Sequence, residues 1–162
     1  ADSGLAEGIR RLLLTGSRFS RRFFRMGKIM VTIKLANLRD LHLKSARALK
    51  GAVRRVEAEA LVDTGATRLY LKPSVIRGLG LRRVDVIRSR TTNGVRVRGK
   101  YDPVRLELMG RYGNFDVIDV DECVPNLLGQ IPLEDLDFVV DPKAQALRPN
   151  PEHGEKQMTE EY

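Results

Sequence analysis

Between Lys28 and Leu147, short runs of β-branched and apolar residues recur at intervals of about 8 to 15 residues, separated by Gly, Asn or Pro. This spacing constrains the chain to an all-β, barrel-like domain with small helices. The expected strands are 28–36, 52–62, 67–71, 84–90, 95–100, 104–109, 115–120, 138–140 and 145–147. The last two read as closing strands about an Asp141-Pro142 turn, and 110–114 as the loop of a hairpin. Pro73 opens a helix that runs through Ile76 and is stopped by Gly78 and Gly80; a second short helix spans 133–136. Residues 37–51 break the alternation, with Leu38, Leu41, Ala46 and Leu49 able to line one face of a short helix or loop ended by Gly51. Asn93-Gly94, between two alternating runs, is the strongest short hairpin signal.

The alternating segment 52–62 delivers a carboxylate. In Glu57-Ala58-Glu59-Ala60-Leu61-Val62-Asp63-Thr64-Gly65-Ala66, Asp63 follows an apolar strand and enters a turn of small residues. The strand gives the carboxylate a rigid base, Thr64 has a hydroxyl that can bond backbone groups, and Gly65 and Ala66 leave space beside it. Asp-Thr-Gly also occurs as an ordinary Asx turn, so the tripeptide alone does not decide between turn and site. About sixty residues downstream comes Val124-Pro125-Asn126-Leu127-Leu128-Gly129-Gln130, which leads into the helix at 133–136. Between the two lies the Thr91-Thr92-Asn93-Gly94-Val95 hairpin.

These three features, in this order and spacing, resemble the retropepsin-like aspartic proteases, in particular their single-lobe bacterial members. The likeness covers roughly residues 26–151. It implies a closed acid-protease barrel lobe with a flap hairpin and one or two short helices. The chain then divides into a basic N-terminal extension (1–25), a protease domain (26–149) and a polar, loose C-terminal tail (150–162). By resemblance, Asp63, Thr64 and Gly65 are the catalytic turn, with Thr64 bonding across a dimer axis. Ala66, Asn93, Gly94, Val124 and Leu127 are substrate-binding residues, and Leu128-Gly129 packs beneath the turn. The flap departs from the glycine-rich viral pattern, with Arg90, Arg96 and Arg98 around one tip glycine, and Gln130 stands where viral enzymes commonly carry Arg.

Peptide hydrolysis of this kind needs two carboxylates that share a proton, and no second Asp-Thr-Gly or Asp-Ser-Gly exists in the chain. Asp85, Asp119, Asp121 and Asp141 lack the apolar-strand and small-turn setting and read as solvated charges. The economical solution is a two-fold homodimer in which two copies of Asp63 meet, acting on extended polypeptide without cofactor or metal. The alternative is a dimeric module of the same fold that binds peptide or protein but hydrolyses poorly.

Charge and cysteine content bound the remaining possibilities. Residues 1–55 hold 14 Lys or Arg against 3 Asp or Glu, whereas residues 56–162 hold 15 against 18. The basic excess therefore precedes the motif, and with no Trp the chain is not expected to bind nucleic acid. A basic surface or nucleic-acid function through residues 1–55 ranks third. Arg10, Arg11, Arg18, Arg21, Arg22 and Arg25 among Leu12-Leu13-Leu14 and Phe23-Phe24 suit a targeting or membrane-surface segment, or simply an extension upstream of Met26. No apolar run reaches the roughly 18 residues of a membrane span. Cys123 is the sole cysteine, so no internal disulfide forms and a cytoplasmic setting is the default; it reads as a small packing residue. His42 and His153 lie outside the motifs, with no zinc-like spacing.

Overall fold

The computed structural model describes residues 28–91 and 94–158. Among these residues the elements follow in order: β1 (Met30–Asn37), α1 (Leu38–Ser45), β2 (Arg55–Val62), β3 (Leu69–Leu71), α2 (Pro73–Leu79), β4 (Arg83–Thr91), β5 (Gly94–Leu108), β6 (Arg111–Asp119), β7 (Asn126–Leu128), α3 (Gln130–Asp135), β8 (Phe138–Asp141) and β9 (Ala146–Pro149). Period-two alternation sets their faces. In β5, Val104, Leu106 and Leu108 are buried while Glu107 between them is exposed; in β1, Ile33 and Leu35 are buried and Lys34 is exposed.

Among the described residues the main sheet runs β1-β2-β7-β3-β6-β5-β4, and β1 also pairs with β5. Six strands thus close into a barrel, with β4 outside it as the partner of β5. Ile33, Leu35, Leu69, Leu71, Val104, Leu106, Val117 and Leu128 fill the interior. The all-β barrel expected from the sequence is the fold observed.

Several local expectations need correction. The segments 138–140 and 145–147 do not close the barrel. They form a separate two-stranded sheet, β8 with β9, and closure falls to Lys34–Asn37 of β1 against Val104–Glu107 of β5. The hairpin loop at 110–114 is only Met109-Gly110, because both residues adopt positive φ (50° and 81°) and Leu108 pairs directly with Arg111. Helix α2 continues past Gly78 to Leu79 and ends at Gly80, whose φ of 62° supplies the left-handed cap. Residues 37–51 contain the helix α1, capped by the Asn37 side chain, which accepts from the Asp40 backbone N–H.

Cys123 is exposed rather than packed; its neighbour Val124 is the buried residue. The acids read as solvated are largely partnered: Asp119 accepts from the Gly99 N–H and the Tyr101 hydroxyl, Asp121 pairs with Arg98, and Asp141 caps the turn at Lys143 and Ala144. The tail is not loose where it is described. Buried Asp137 pairs with Arg111 and binds His153 Nδ1 and the Met158 N–H, tying residues 150–158 to the barrel. No helix among the described residues is long and apolar enough to cross a membrane. The N-terminal extension, residues 1–25, and Asn93 lie outside the described residues.

Candidate active site

The short strand β7 organises the site. It runs parallel to β2 on one side, with Leu61 opposite Leu127 and Val62 opposite Leu128, and antiparallel to β3 on the other, with Leu69 opposite Leu128. The chain therefore leaves β2, turns across the end of β7 through residues 63–68, and returns as β3 on the far edge. Four backbone bonds pin that crossing. The Asp63 N–H donates to the Leu128 carbonyl (3.0 Å), and the N–H groups of Gly129, Gln130 and Ile131 donate to the carbonyls of Arg68 (3.0 Å), Ala66 (2.8 Å) and Thr67 (2.9 Å). The last two are helix-start donors that α3 could not satisfy internally. One set of bonds thus completes the helix and fixes the turn.

Gly129 makes this approach possible. A Cβ there would lie 2.4 Å from the Arg68 carbonyl oxygen and 2.8 Å from both the Ala66 oxygen and the Arg68 nitrogen. All three are backbone atoms of the pinned turn, the two oxygens bonded to Gly129 and Gln130, so no side chain can swing away. Gly129→Ala is expected to destabilise the fold by about 2–3 kcal/mol, read from the denaturant midpoint. A variant as stable as the parent would mean that the turn yields at little cost.

At the turn, the Gly65 N–H donates to Asp63 Oδ1 at 2.9 Å, and the Ala66 N–H donates to the Asp63 carbonyl at 3.1 Å. Asp63 is half-buried, Thr64 and Gly65 are exposed, and Ala66 is half-buried. Burial pushes the Asp63 carboxyl above its ordinary value, with the Gly65 and Ala66 N–H groups pulling the other way. No cation among the described residues is bonded to it, so desolvation prevails. The result is a carboxyl group raised above its ordinary value on a backbone pinned by those bonds.

Of the other residues singled out in the sequence, Leu127 is half-buried on the outer face of β7. Val124 is only 2% exposed and lies under the surface rather than on it. Gly94 heads β5 with φ 110°, paired to Thr91 across the hairpin. Gly94 and the Asp63 turn belong to different parts of the fold, the edge hairpin and the barrel end.

Sequence reasoning did not assign a role to Asn126. It is 5% exposed, its Nδ2 donates to the Glu59 carbonyl (2.9 Å) and its Oδ1 accepts from the Lys72 N–H (2.8 Å). It therefore stitches β2 and the end of β3 to β7, holding both arms of the crossing. The available signal was an amide directly before two leucines in an otherwise apolar strand.

No curated protein matches the chain. A family model described as aspartyl protease matches residues 49–131, just over half of the chain. The matched span contains the Asp63 turn, the β4–β5 hairpin and the Leu128-Gly129 step that underlies the turn. The chain belongs to the retropepsin-like aspartyl protease family.

Proposed function

We propose that Asp63 is the catalytic carboxylate of an aspartic endopeptidase whose active site is completed by Asp63 of a second copy. The observation that carries this reading is a half-buried carboxyl, raised by burial and held on a cross-bonded turn, in a chain with a single Asp-Thr-Gly. Exposed Thr64 and Gly65 supply the surface through which two turns can meet. Two carboxylates brought together resist double ionisation, so the pair retains one proton, as is characteristic of aspartic proteases as a class.

Each carboxyl then has a distinct task. The ionised one removes a proton from water as the water oxygen attacks the scissile carbonyl carbon; the protonated one gives its proton to the carbonyl oxygen. The resulting gem-diol collapses as the C–N bond breaks and the leaving nitrogen takes a proton back. Substrate lies as an extended strand, so that its backbone groups bond the walls, and the β4–β5 hairpin with Gly94 at its end closes over it. Leu127 and Ala66 present the apolar contacts, and the chemistry requires no cofactor.

A subunit-mixing experiment tests the shared site. An equimolar mixture of wild-type and Asp63→Asn chains, allowed to exchange, should retain about a quarter of the wild-type cleavage of unfolded polypeptide, because only wild-type pairs are complete. Retention of half would contradict a composite site. Peptide binding with no Asp63-dependent cleavage at any pH would favour the binding-only module instead.

A further inference from the structure

The barrel face turned away from the core carries an uneven charge arrangement beside the site. Residues directly opposite each other across strands share a face. Leu61, Leu127, Tyr70, Ile118 and Lys100 form one such row, from β2 through β7, β3 and β6 to β5. Their neighbours Val62, Leu128, Leu69 and Val117 line the core, so the row lies on the opposite face, where Ile118 is itself fully buried and the others are partly exposed. Leu61, Leu127 and Tyr70 are partly exposed and form an apolar floor next to the Asp63 turn.

One end of this floor is basic. Arg68, the last residue of the crossing turn, pairs with Asp116 at 3.9 Å, and Lys100 pairs with the same Asp116 oxygen at 3.0 Å. Two cations therefore share one carboxylate, and the Arg68 contact is the looser. The Arg68 side chain is 39% exposed. It also borders a concavity of about 230 Å³ formed with Pro103, Asn114, Ile131 and Pro132, which continues the same face of β6. The β4–β5 hairpin adds to the imbalance: residues 83–97 contain four Arg and a single acid, Asp85, and Arg98 beyond them is paired with Asp121.

Resting on the protease reading above, we propose that Arg68 selects acidic substrate: the enzyme favours extended polypeptide with an Asp or Glu side chain a few residues from the cleaved bond. Arg68 exchanges its loose contact with Asp116 for a two-point pair with the substrate carboxylate, a geometry suited to guanidinium. Lys100 remains on Asp116, so no carboxylate is left unpaired by the exchange. Because Arg68 O is anchored by Gly129, the backbone that carries the recognition group is held in register with Asp63.

The test uses a combinatorial decapeptide library and two readouts. Cleavage products of the wild-type protein, identified by mass spectrometry, should show Asp or Glu near the cut favoured about tenfold over Asn or Gln in kcat/KM. Arg68→Glu should reverse the preference toward Lys and Arg, and Arg68→Lys should keep part of it. In parallel, immobilised Asp63→Asn protein should retain acidic peptides from the same library, and Asp63→Asn combined with Arg68→Glu should not. Asp63-dependent cleavage with no acidic preference, or with one that Arg68→Glu leaves intact, overturns the charge reading alone. Arg68-dependent retention of acidic peptides without any cleavage supports the charge reading and removes the protease reading. Neither cleavage nor acidic retention overturns both.

Discussion

Asp63→Asn is expected to lower peptide cleavage by at least about a thousandfold while leaving the chain folded. The loss is large because asparagine can neither accept the proton of attacking water nor return one to the leaving nitrogen, and in a dimer both carboxylates disappear together. The fold survives because the Asn Oδ1 can still accept the Gly65 N–H, and the bonds that pin the turn involve backbone atoms only. Stability should in fact rise at neutral pH. Burial holds the Asp63 carboxyl above its unfolded value of 3.8, so the folded state binds the proton more tightly than the unfolded one. The ionised group therefore costs stability above the folded pKa, and the cost vanishes below the unfolded pKa. Asp63→Asn removes that cost, so its melting temperature should exceed that of the wild type at pH 7, with the difference closing on acidification toward pH 3. Equal cleavage by the two proteins would sink the catalytic assignment. A variant that melts lower at pH 7 would contradict a carboxylate desolvated by the turn.

How much of this was legible in the sequence follows the range of the interactions. The strands were readable because alternation is local: Val104, Leu106 and Leu108 declare a face with no knowledge of their partners. The site turn was readable because close backbone approach demands small residues, and both contacting segments announce it, Thr64-Gly65-Ala66 on one side and Gly129 on the other. The insertion of β7 between β2 and β3 was not, since it rests on parallel pairing of a three-residue strand with a segment more than sixty positions away. Closure through β1 and β5 was hidden for the same reason. Asp137 and His153 gave no local pattern; their pairing exists only because the chain folds the tail back over a buried Arg111. Sequence likewise placed Val124 in a pocket, where an apolar residue can be either wall or core, and tertiary packing made it core.

Arg54→Met is expected to destabilise the fold by about 3 kcal/mol at pH 7. Asp40 is buried, with its side chain 3% exposed, and Arg54 meets it with Nε and Nη2 each at 2.7 Å. The pair holds together α1, the end of α2 and the start of β2, at the opposite end of β2 from Asp63. Asn37 caps α1 on Asp40 and donates to the Leu79 carbonyl at the end of α2, and Arg54 reaches the Gly80 carbonyl while leading into β2. Methionine keeps the apolar stem but strands a desolvated carboxylate, which retains only the Arg54 backbone N–H and is not fully abandoned. That surviving bond, and an Arg54 side chain that is itself 42% exposed, place the effect at the low end of the range for a buried carboxylate that loses its partner. The pH dependence separates this cause from simple loss of packing. Bonds from the Arg54 side chain, opposed by burial, hold Asp40 at about 2, below the ordinary 3.8. Its contribution is therefore complete above pH 3.8 and is lost as pH falls through about 2, a change of about 2 kcal/mol at 1.36 kcal/mol per unit. Denaturant unfolding at pH 7, 4 and 2 should show the gap between wild type and Arg54→Met narrowing in the last step. A gap that stays constant to pH 2 would assign the loss to the arginine stem and not to its charge, and would remove Asp40 as the anchor of α1 against α2.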